Sequence, residues 1–323
     1  MWEVAALVRR NAEALAELET ISAGKPIRDT RGEVAKVAEM FEYYAGWCDK
    51  LHGEVIPVPT SHLNYTRHEP YGAVVQITPW NAPIFTAGWQ IAPAICAGNA
   101  AVLKPSELTP LSSLALGMLC HRAEGIPAGL VSVLAGAGPT TGAAAVSHVD
   151  TRLVVFVGSI EAGAQIAATA ARNVVPSILE LGGKSANIVF ADADLDRALV
   201  GAQAAIFGGA GQSCVAGSRL LVDRRIHAEF VNRLASAAAN IATGLPTNPD
   251  TQIGPINNRR QLDKINGMVA AATAAGARLA TGGGCPEALR ETGGFFYAPT
   301  IVDGIAPDAA IARDEVFGPV LAV

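Results

Sequence analysis

A cysteine among small residues is the first feature of this sequence that could carry out covalent chemistry. Cys214 lies in GQSCVAGSR, residues 211–219, after a glycine-rich segment that would let a ligand approach the thiol. A cysteine thiolate is a strong nucleophile that can form covalent intermediates. A single cysteine is also commonly a small buried apolar residue, so this segment alone leaves both interpretations open.

Two polar residues elsewhere in the chain could assist such a nucleophile. Glu180, in LELGGKSAN, ends an apolar strand-like run and precedes two glycines that would let backbone or ligand come close. Its carboxylate suits general-base chemistry, and a structural ion pair at a strand end is the alternative. Asn81, in TPWNAPI, lies between two prolines that restrict the backbone, so its amide could donate to an oxyanion. A turn asparagine is the alternative there.

Charged and glycine-rich segments supply candidate contacts for a nucleotide. Lys104 and Glu107, in KPSE, follow the run AAVL and could hold ribose hydroxyls, or could form a charge pair at the start of a helix. GAGPTTG follows the run LVSVL without matching GxGxxG, so it is weak support by itself. GSIEAG follows RLVVFV and opens a helix, whose N terminus could receive a phosphate.

The elements that must position these residues alternate between apolar runs and helices. From residue 71 the strand-like runs are GAVVQI, AAVLK, LVSVL, RLVVFV and SILEL. Helical patterns lie between them, around residues 84–97, 110–123, 140–147 and 161–172. Strands that are apolar on both faces and alternate with helices predict an α/β fold with a covered parallel sheet. Such sheets bind ligands at the carboxyl ends of their strands.

The flanking segments complete this outline. Two amphipathic helices are predicted near the start, the second over residues 34–51, and an exposed two-stranded hairpin is predicted over residues 54–70. After residue 182 a second α/β region begins with ANIVF. The first helix begins at Met1 without a capping residue and the run PVLAV ends at Val323. We therefore expect both ends to be cut, and a chain that is inactive alone.

Composition excludes several classes of protein. The 323 residues suggest two domains, and 50% hydrophobic with 16% charged residues excludes disorder. A net charge of −5 without any basic run argues against a nucleic-acid partner. The five cysteines are spread out without a CxxC pair, which indicates reduced thiols in a cytoplasmic protein and no metal site. No signal peptide and no apolar run of membrane-spanning length is visible.

Taken together and in this order, TPWN, KPSE, FVGSxxxG, LELGGK, GQxC and EVFGP resemble the aldehyde dehydrogenase superfamily over essentially the whole chain. The resemblance implies that Cys214 is the nucleophile and Glu180 the base that activates water. It implies that Asn81 and the backbone N–H of Cys214 form the oxyanion hole. It further implies the following cofactor contacts: Trp80, Lys104, Glu107, Gly138, Pro139, Gly158, Ser159, Leu181, Gln261, Lys264, Glu315 and Phe317. By itself, Phe317 would most simply be a core residue.

The implied reaction is the oxidation of an aldehyde to a carboxylic acid. Attack by Cys214 gives a thiohemiacetal, loss of hydride to the nicotinamide gives a thioester, and water deprotonated by Glu180 hydrolyses it. The presence of Glu180 favours hydrolysis over transfer to coenzyme A. Glu107 favours NAD, with NADP as the alternative cofactor, because a carboxylate binds a free 2′-hydroxyl and repels a 2′-phosphate.

The resemblance also implies how the chain is organised. A Rossmann-like dinucleotide-binding domain is expected at residues 1–53 and 71–181, an oligomerisation hairpin at 54–70, and a C-terminally incomplete catalytic domain at 182–323. Full-length members are homodimers or homotetramers. One departure is Gln90, which stands where most members have lysine. The alternative function is an inactive fragment that retains at most cofactor binding, and the sequence does not indicate which aldehyde is used.

Overall fold

The computed structural model describes all 323 residues, and they form two compact units. The first unit contains Met1–Ser22 and Arg31–Leu181, and the second contains Ala23–Thr30 and Gly182–Val323. The boundaries expected from sequence place residues 23–30 with the first of two domains. In the structure this short segment is hydrogen-bonded within the second unit, because Ile27 N donates to Pro246 O at 2.8 Å and Asn257 Nδ2 to Ala23 O at 3.3 Å.

Three helices open the chain: α1 (Trp2–Arg10), α2 (Ala12–Ala23) and α3 (Ile27–Ala45). The first predicted helix is interrupted at Asn11, whose side-chain Nδ2 donates to Leu7 O at 2.8 Å and so competes with the helical pattern. The prediction of a second helix over residues 34–51 was wrong at both ends. That helix begins directly after Pro26, a residue that fixes its own φ, and ends before the turn at residues 46–49.

The segment over residues 54–70 contains a short antiparallel pair, β1 (Val55–Ile56) and β2 (Asn64–Tyr65). Val55 lies opposite Tyr65, and both side chains are largely exposed. The pair therefore has no core of its own.

The first unit is built on a five-stranded sheet in which every strand is parallel to its neighbours. Its order is β5-β4-β3-β6-β7, which confirms the predicted parallel α/β sheet. Its strands are β3 (Ala73–Ile77), β4 (Ala100–Lys104), β5 (Val131–Val133), β6 (Thr151–Gly158) and β7 (Ser177–Leu181). The helices that follow its strands are α4 (Pro83–Cys96), α5 (Leu111–Arg122), α6 (Ala143–Ser147) and α7 (Ile160–Arg172). A π-helical turn at Gly138–Gly142 precedes α6.

The core of this unit explains why the sheet forms from these runs. Val75, Val154 and Phe156 point from the central strands into one cluster with Ala170 of α7. Burying an aliphatic or aromatic side chain of this size contributes about 1.5–3 kcal/mol. Strands that carry apolar residues on successive positions, as β3 and β6 do, are stable only when both faces are covered.

The second unit contains a mixed sheet of order β10-β11-β12-β9-β8. Its strands are β8 (Ala186–Val189), β9 (Arg219–Val222), β10 (Arg278–Thr281), β11 (Thr300–Asp303) and β12 (Val320–Ala322). Its helices are α8 (Leu195–Phe207), α9 (His227–Ala239), α10 (Arg259–Ala274) and α11 (Ala310–Arg313). Only the β10–β11 pair is antiparallel. The core contains fully buried Phe230, Leu234 and Ile265.

None of the helices in either unit combines the length and apolar character needed to cross a membrane.

Candidate functional site

The carboxyl ends of the first sheet gather most of the residues predicted to act on a cofactor. In the parallel register, Ile77 of β3 pairs with Lys104 of β4 and with Phe156 of β6. Gly158 of β6 pairs with Leu181 of β7. Because parallel strands end at one edge, the residues that follow them share that edge. These are Trp80 and Asn81 after β3, Lys104 and Glu107 at β4, Gly138 and Pro139 after β5, Gly158 and Ser159 at β6, and Glu180 and Leu181 at β7.

Lys104 and Glu107 form a charge pair at this edge. Lys104 is buried at the last position of β4, and its Nζ donates to Glu107 Oε2 at 2.8 Å. Burial raises the pKa of Glu107, but the hydrogen bond and charge of Lys104 and the backbone N–H groups of Glu107 and Gly138 together bring it below its ordinary value. The Glu107 carboxylate is therefore ionised at neutral pH, and it ties KPSE to the glycine-rich segment that contains Gly138.

Ser159 occupies the N-cap of α7, beside the end of β6. Its backbone is extended and its Oγ accepts a hydrogen bond from Ala162 N at 3.2 Å. The remaining N–H groups of the first turn carry the positive end of the helix dipole, which suits a phosphate. Gly158 must be glycine here, because a Cβ on it would lie 2.5 Å from Cζ of Phe156.

The Asn81 side chain lies in the connection between β3 and α4 and is half-buried. Its neighbour Trp80 accepts a hydrogen bond from Thr109 Oγ1 through its backbone oxygen, at 3.2 Å. This contact ties the TPWN segment to the residues that precede α5.

Glu180 is exposed at the end of β7 and lines a cavity of about 650 Å³ within the first unit. Gln76 and Gln90 line the same cavity, and both are almost fully buried. Gln76 Nε2 donates to Gln90 O at 2.7 Å, whereas Gln76 Oε1 and both polar atoms of the Gln90 side chain have no partner. Both amide side chains therefore lie in the wall that Glu180 also lines, and three of their buried polar atoms have no hydrogen-bond partner. Sequence reasoning missed Gln76, although a polar residue inside the apolar run GAVVQI was the available signal.

In the second unit, Cys214 is exposed on a loop that follows a 3₁₀ turn at Gly208–Gly211. Gly211 has φ +65°, and a Cβ on it would lie 2.0 Å from Gly318 O, so the turn packs directly on the backbone near EVFGP. Gln212 Oε1 accepts from Asn257 N at 2.9 Å. Both contacts lie on the N-terminal side of Cys214, and they fix the backbone that leads to this accessible thiol.

The remaining predicted cofactor contacts also lie in the second unit. Gln261 Nε2 donates to Val316 O at 2.8 Å and to Phe317 O at 2.9 Å. Phe317 has φ +59°, a conformation that costs a residue with a side chain about 1–2 kcal/mol, and these two bonds hold it there. The Phe317 side chain is half-buried, so it is not simply a core residue.

The Glu315 carboxylate accepts a hydrogen bond from Gly183 N at 3.4 Å. Burial raises the pKa of Glu315, while this hydrogen bond and the charges of Lys264 and Lys184 oppose the rise. Lys184 is itself largely buried with its Nζ unpartnered, and burial lowers its pKa to about 8 despite the opposing charge of Glu315. A Cβ on Gly182 would lie 2.2 Å from Glu315 Oε2, which explains the first of the two glycines in LELGGK.

The structure thus gathers the predicted residues into two groups, one in each unit. The first group contains Asn81, Glu180 and the residues at the sheet edge, and the second contains Cys214, Gln261, Lys264, Glu315 and Phe317. The expected meeting of Cys214 with Asn81 and Glu180 across one open cleft stays a prediction.

Comparison with known proteins gives a family match over the whole chain. Residues 1–323 match the aldehyde dehydrogenase family. Retinal dehydrogenase 2 of Homo sapiens is 43% identical over 320 residues, which cover 98% of this chain and 61% of that protein. Betaine aldehyde dehydrogenase of Bacillus subtilis is 43% identical over 323 residues, which cover 99% of this chain and 66% of that protein.

Solved structures of aldehyde dehydrogenases also match the fold over the whole chain. A betaine aldehyde dehydrogenase from Staphylococcus aureus, in complex with NAD+, has a TM-score of 0.96 and 38% identity, over 100% of this chain and 64% of that one. An NAD-dependent aldehyde dehydrogenase from Sinorhizobium meliloti has the same TM-score and identity, over 100% of this chain and 63% of that one. The chain therefore spans less than two thirds of the length of these two structures.

Proposed function

This chain belongs to the aldehyde dehydrogenase family, and we propose that it serves the NAD-dependent oxidation of an aldehyde to a carboxylic acid. The observation that carries the proposal is the exposed Cys214 thiol on a loop whose backbone is fixed by the Gly211–Gly318 contact and the Gln212–Asn257 hydrogen bond. An accessible nucleophile on a rigid loop is what attack on a carbonyl carbon requires.

The residues of the first unit fit a dinucleotide. Glu107 offers an ionised carboxylate to ribose hydroxyls, and Ser159 begins a helix whose N-terminal N–H groups suit a pyrophosphate. NAD is present in the similar betaine aldehyde dehydrogenase structure from Staphylococcus aureus. When bound, NAD supplies the acceptor for the hydride. We assign Trp80, Lys104, Gly138, Pro139, Gly158 and Leu181 to the same binding region, together with Gln261, Lys264, Glu315 and Phe317 of the second unit.

In the proposed mechanism the Cys214 sulfur attacks the aldehyde carbon and forms a C–S bond. The oxygen of the resulting thiohemiacetal becomes negative, and the Asn81 amide and the Cys214 backbone N–H donate hydrogen bonds to it. Losing one such donor typically costs about 2.7–4 kcal/mol of transition-state stabilisation. Loss of hydride from the same carbon leaves a thioester on Cys214.

Glu180 completes the cycle by taking a proton from water. The hydroxide attacks the thioester carbon, the C–S bond breaks, and the carboxylic acid leaves with Cys214 restored as a thiolate. The exposure of Glu180 supports this role, because water can reach its carboxylate at the cavity that it lines.

Assembly and location belong to the same proposal. We assign the first unit to cofactor binding, the second to catalysis, and residues 54–70 to contacts within a homodimer or homotetramer of the full-length protein. The exposed apolar residues Val55, Leu63 and Tyr65 support a contact surface on that segment. Five free cysteines support a reducing compartment, and we propose the cytoplasm.

The test is NADH formation with a panel of aldehydes, measured for residues 1–323 and for a version extended to the length of the relatives. Cys214→Ser should reduce the rate by at least about 10³-fold, as removal of a nucleophile does elsewhere. Cys285→Ser, a change at a half-buried cysteine of the same unit, should leave it unchanged. Full activity in Cys214→Ser would overturn the mechanism.

The second candidate function is a fragment that retains at most cofactor binding. The observation in its favour is that the chain spans only 61% of a curated relative that it matches. NAD binding by residues 1–323, followed by calorimetry, without NADH formation would favour this candidate, whereas turnover comparable to a full-length relative would exclude it.

A further inference from the structure

Two cysteines lie together at the wall of the cavity in the first unit. Cys48 lies in the turn after α3, and Cys96 is the last residue of α4. Both line the cavity that Glu180 lines, and the Cys48 thiol is close enough to raise the pKa of Cys96. The other three cysteines are not part of this wall. The fold therefore pairs two thiols that are far apart in sequence and that the proposed reaction does not use.

The two thiols have different surroundings. Cys48 is exposed, and its Sγ contacts Met1 Sδ at 3.6 Å and donates to Tyr44 O at 3.5 Å. Cys96 is half-buried, and burial raises its pKa to about 11, with the neighbouring Cys48 adding to the rise. An oxidant from solution therefore reaches Cys48 first, whereas the Cys96 thiol stays protonated at neutral pH.

We propose that Cys48 and Cys96 are a reversible modification site, at which a peroxide produces an intrachain disulfide. The Cys48 thiolate attacks one peroxide oxygen, the O–O bond breaks, and Cys48 becomes a sulfenic acid as one water forms. The Cys96 sulfur then attacks the Cys48 sulfur, the S–O bond breaks, and a second water leaves with the Cys96 proton. Two thiols and one hydrogen peroxide give one disulfide and two waters, so two electrons pass to the peroxide.

The two cysteines lie on different kinds of backbone. A disulfide requires the two Cβ atoms to come within about 3.5–4.5 Å. Cys96 is the last residue of a 14-residue helix, whereas Cys48 lies in a turn outside any helix. The bridge would attach that turn to α4 at the wall of the cavity beside Gln90. The proposal does not depend on the reaction assigned to this chain.

The test uses residues 1–323 carrying Cys214→Ser, which removes the other exposed thiol and leaves four of the five cysteines. The reduced protein is treated with equimolar hydrogen peroxide, blocked with N-ethylmaleimide and mapped by mass spectrometry without reduction. We expect a linked pair of peptides that contain Cys48 and Cys96. Its mass should be about 2 Da below the summed masses of the two reduced peptides, because the disulfide forms with the loss of two hydrogens. Dithiothreitol should restore both thiols.

Matched variants identify the partners. Cys48→Ser and Cys96→Ser should each abolish the linked peptide, whereas Cys285→Ser should retain it. Because the parent protein is mapped directly, the result does not depend on how well any of these variants folds. The proposal is overturned if Cys48 is recovered as a free thiol, as a sulfinic or sulfonic acid, or joined to a second chain, with no link to Cys96.

Discussion

The buried ammonium of Lys104 lies 2.8 Å from the half-exposed carboxylate of Glu107, three residues later in the chain. The pair begins where β4 ends, so the sheet fixes the lysine and the lysine orients the carboxylate. One side of the carboxylate is thereby occupied by the protein and the other remains open to solvent. A fixed, ionised acceptor of this kind distinguishes a ribose hydroxyl from a ribose phosphate.

The first prediction concerns the choice of cofactor. In a version extended to the length of the relatives, Glu107→Gln should lower kcat/KM with NAD by about 10-fold, since hydrogen bonds to charged groups contribute about 1.5–3 kcal/mol. The value with NADP should fall less or rise, because a repelling charge is removed. The matched control is Glu124→Gln, at an exposed glutamate after α5. Equal use of both cofactors by the unmodified protein would contradict the role of Glu107.

The second prediction separates the two halves of the reaction. If Glu180 activates water only for hydrolysis, Glu180→Gln in the extended version should still release about one equivalent of NADH per active site and then stop. Rapid-quench measurements of the burst, with mass spectrometry of an acyl group on Cys214, provide the readout. Steady turnover at the unmodified rate would show that another group takes the proton.

The third prediction concerns the loop before the nucleophile. Gly211→Ala should destabilise the protein by about 2–4 kcal/mol, from the left-handed φ and from the contact with Gly318 O. Gly201→Ala, on an exposed face of α8 with open space around it, should instead stabilise by about 0.5–1 kcal/mol. Urea unfolding of both variants measures the difference. Similar midpoints for the two would mean that the turn does not pack as described.

The fourth prediction is a pH dependence of stability. Because burial raises the pKa of Glu315, the folded protein binds a proton there more tightly than the unfolded chain. Stability from this group is therefore greatest below the unfolded pKa of about 4.3 and is lost as pH rises through the folded pKa. Glu315→Gln should raise the melting temperature at pH 8 and have little effect at pH 4. A larger gain at pH 4 than at pH 8 would refute this sign.

Local sequence patterns predicted the first sheet well because each of its strands is a continuous apolar run. They missed β10, since Arg278–Thr281 is a short edge strand without such a run, in which two residues are exposed and two are half-buried. The left-handed φ of Phe317 also has no local signal, because Gln261, far away in sequence, holds that residue in place.

In the candidate site, too, some features have a local sequence signal and others do not. The motif residues were found from sequence, because their types and order suffice to suggest their chemistry. The pairing of Cys48 with Cys96, and the unpartnered amides of Gln76 and Gln90, arise only when α3, α4 and β3 pack together. Contacts of that kind depend on the tertiary fold and leave no periodic trace in the chain.

The assignment of residues 23–30 to the second unit has a consequence for how the protein is made. The chain enters that unit, leaves it at Arg31 and returns only at Gly182. During synthesis, which proceeds from the N terminus, this segment emerges long before Pro246 and Asn257, its hydrogen-bonding partners. The first unit can therefore mature while the ribosome is still translating, but the second must wait until Pro246 and Asn257 emerge and bind a segment that was made much earlier.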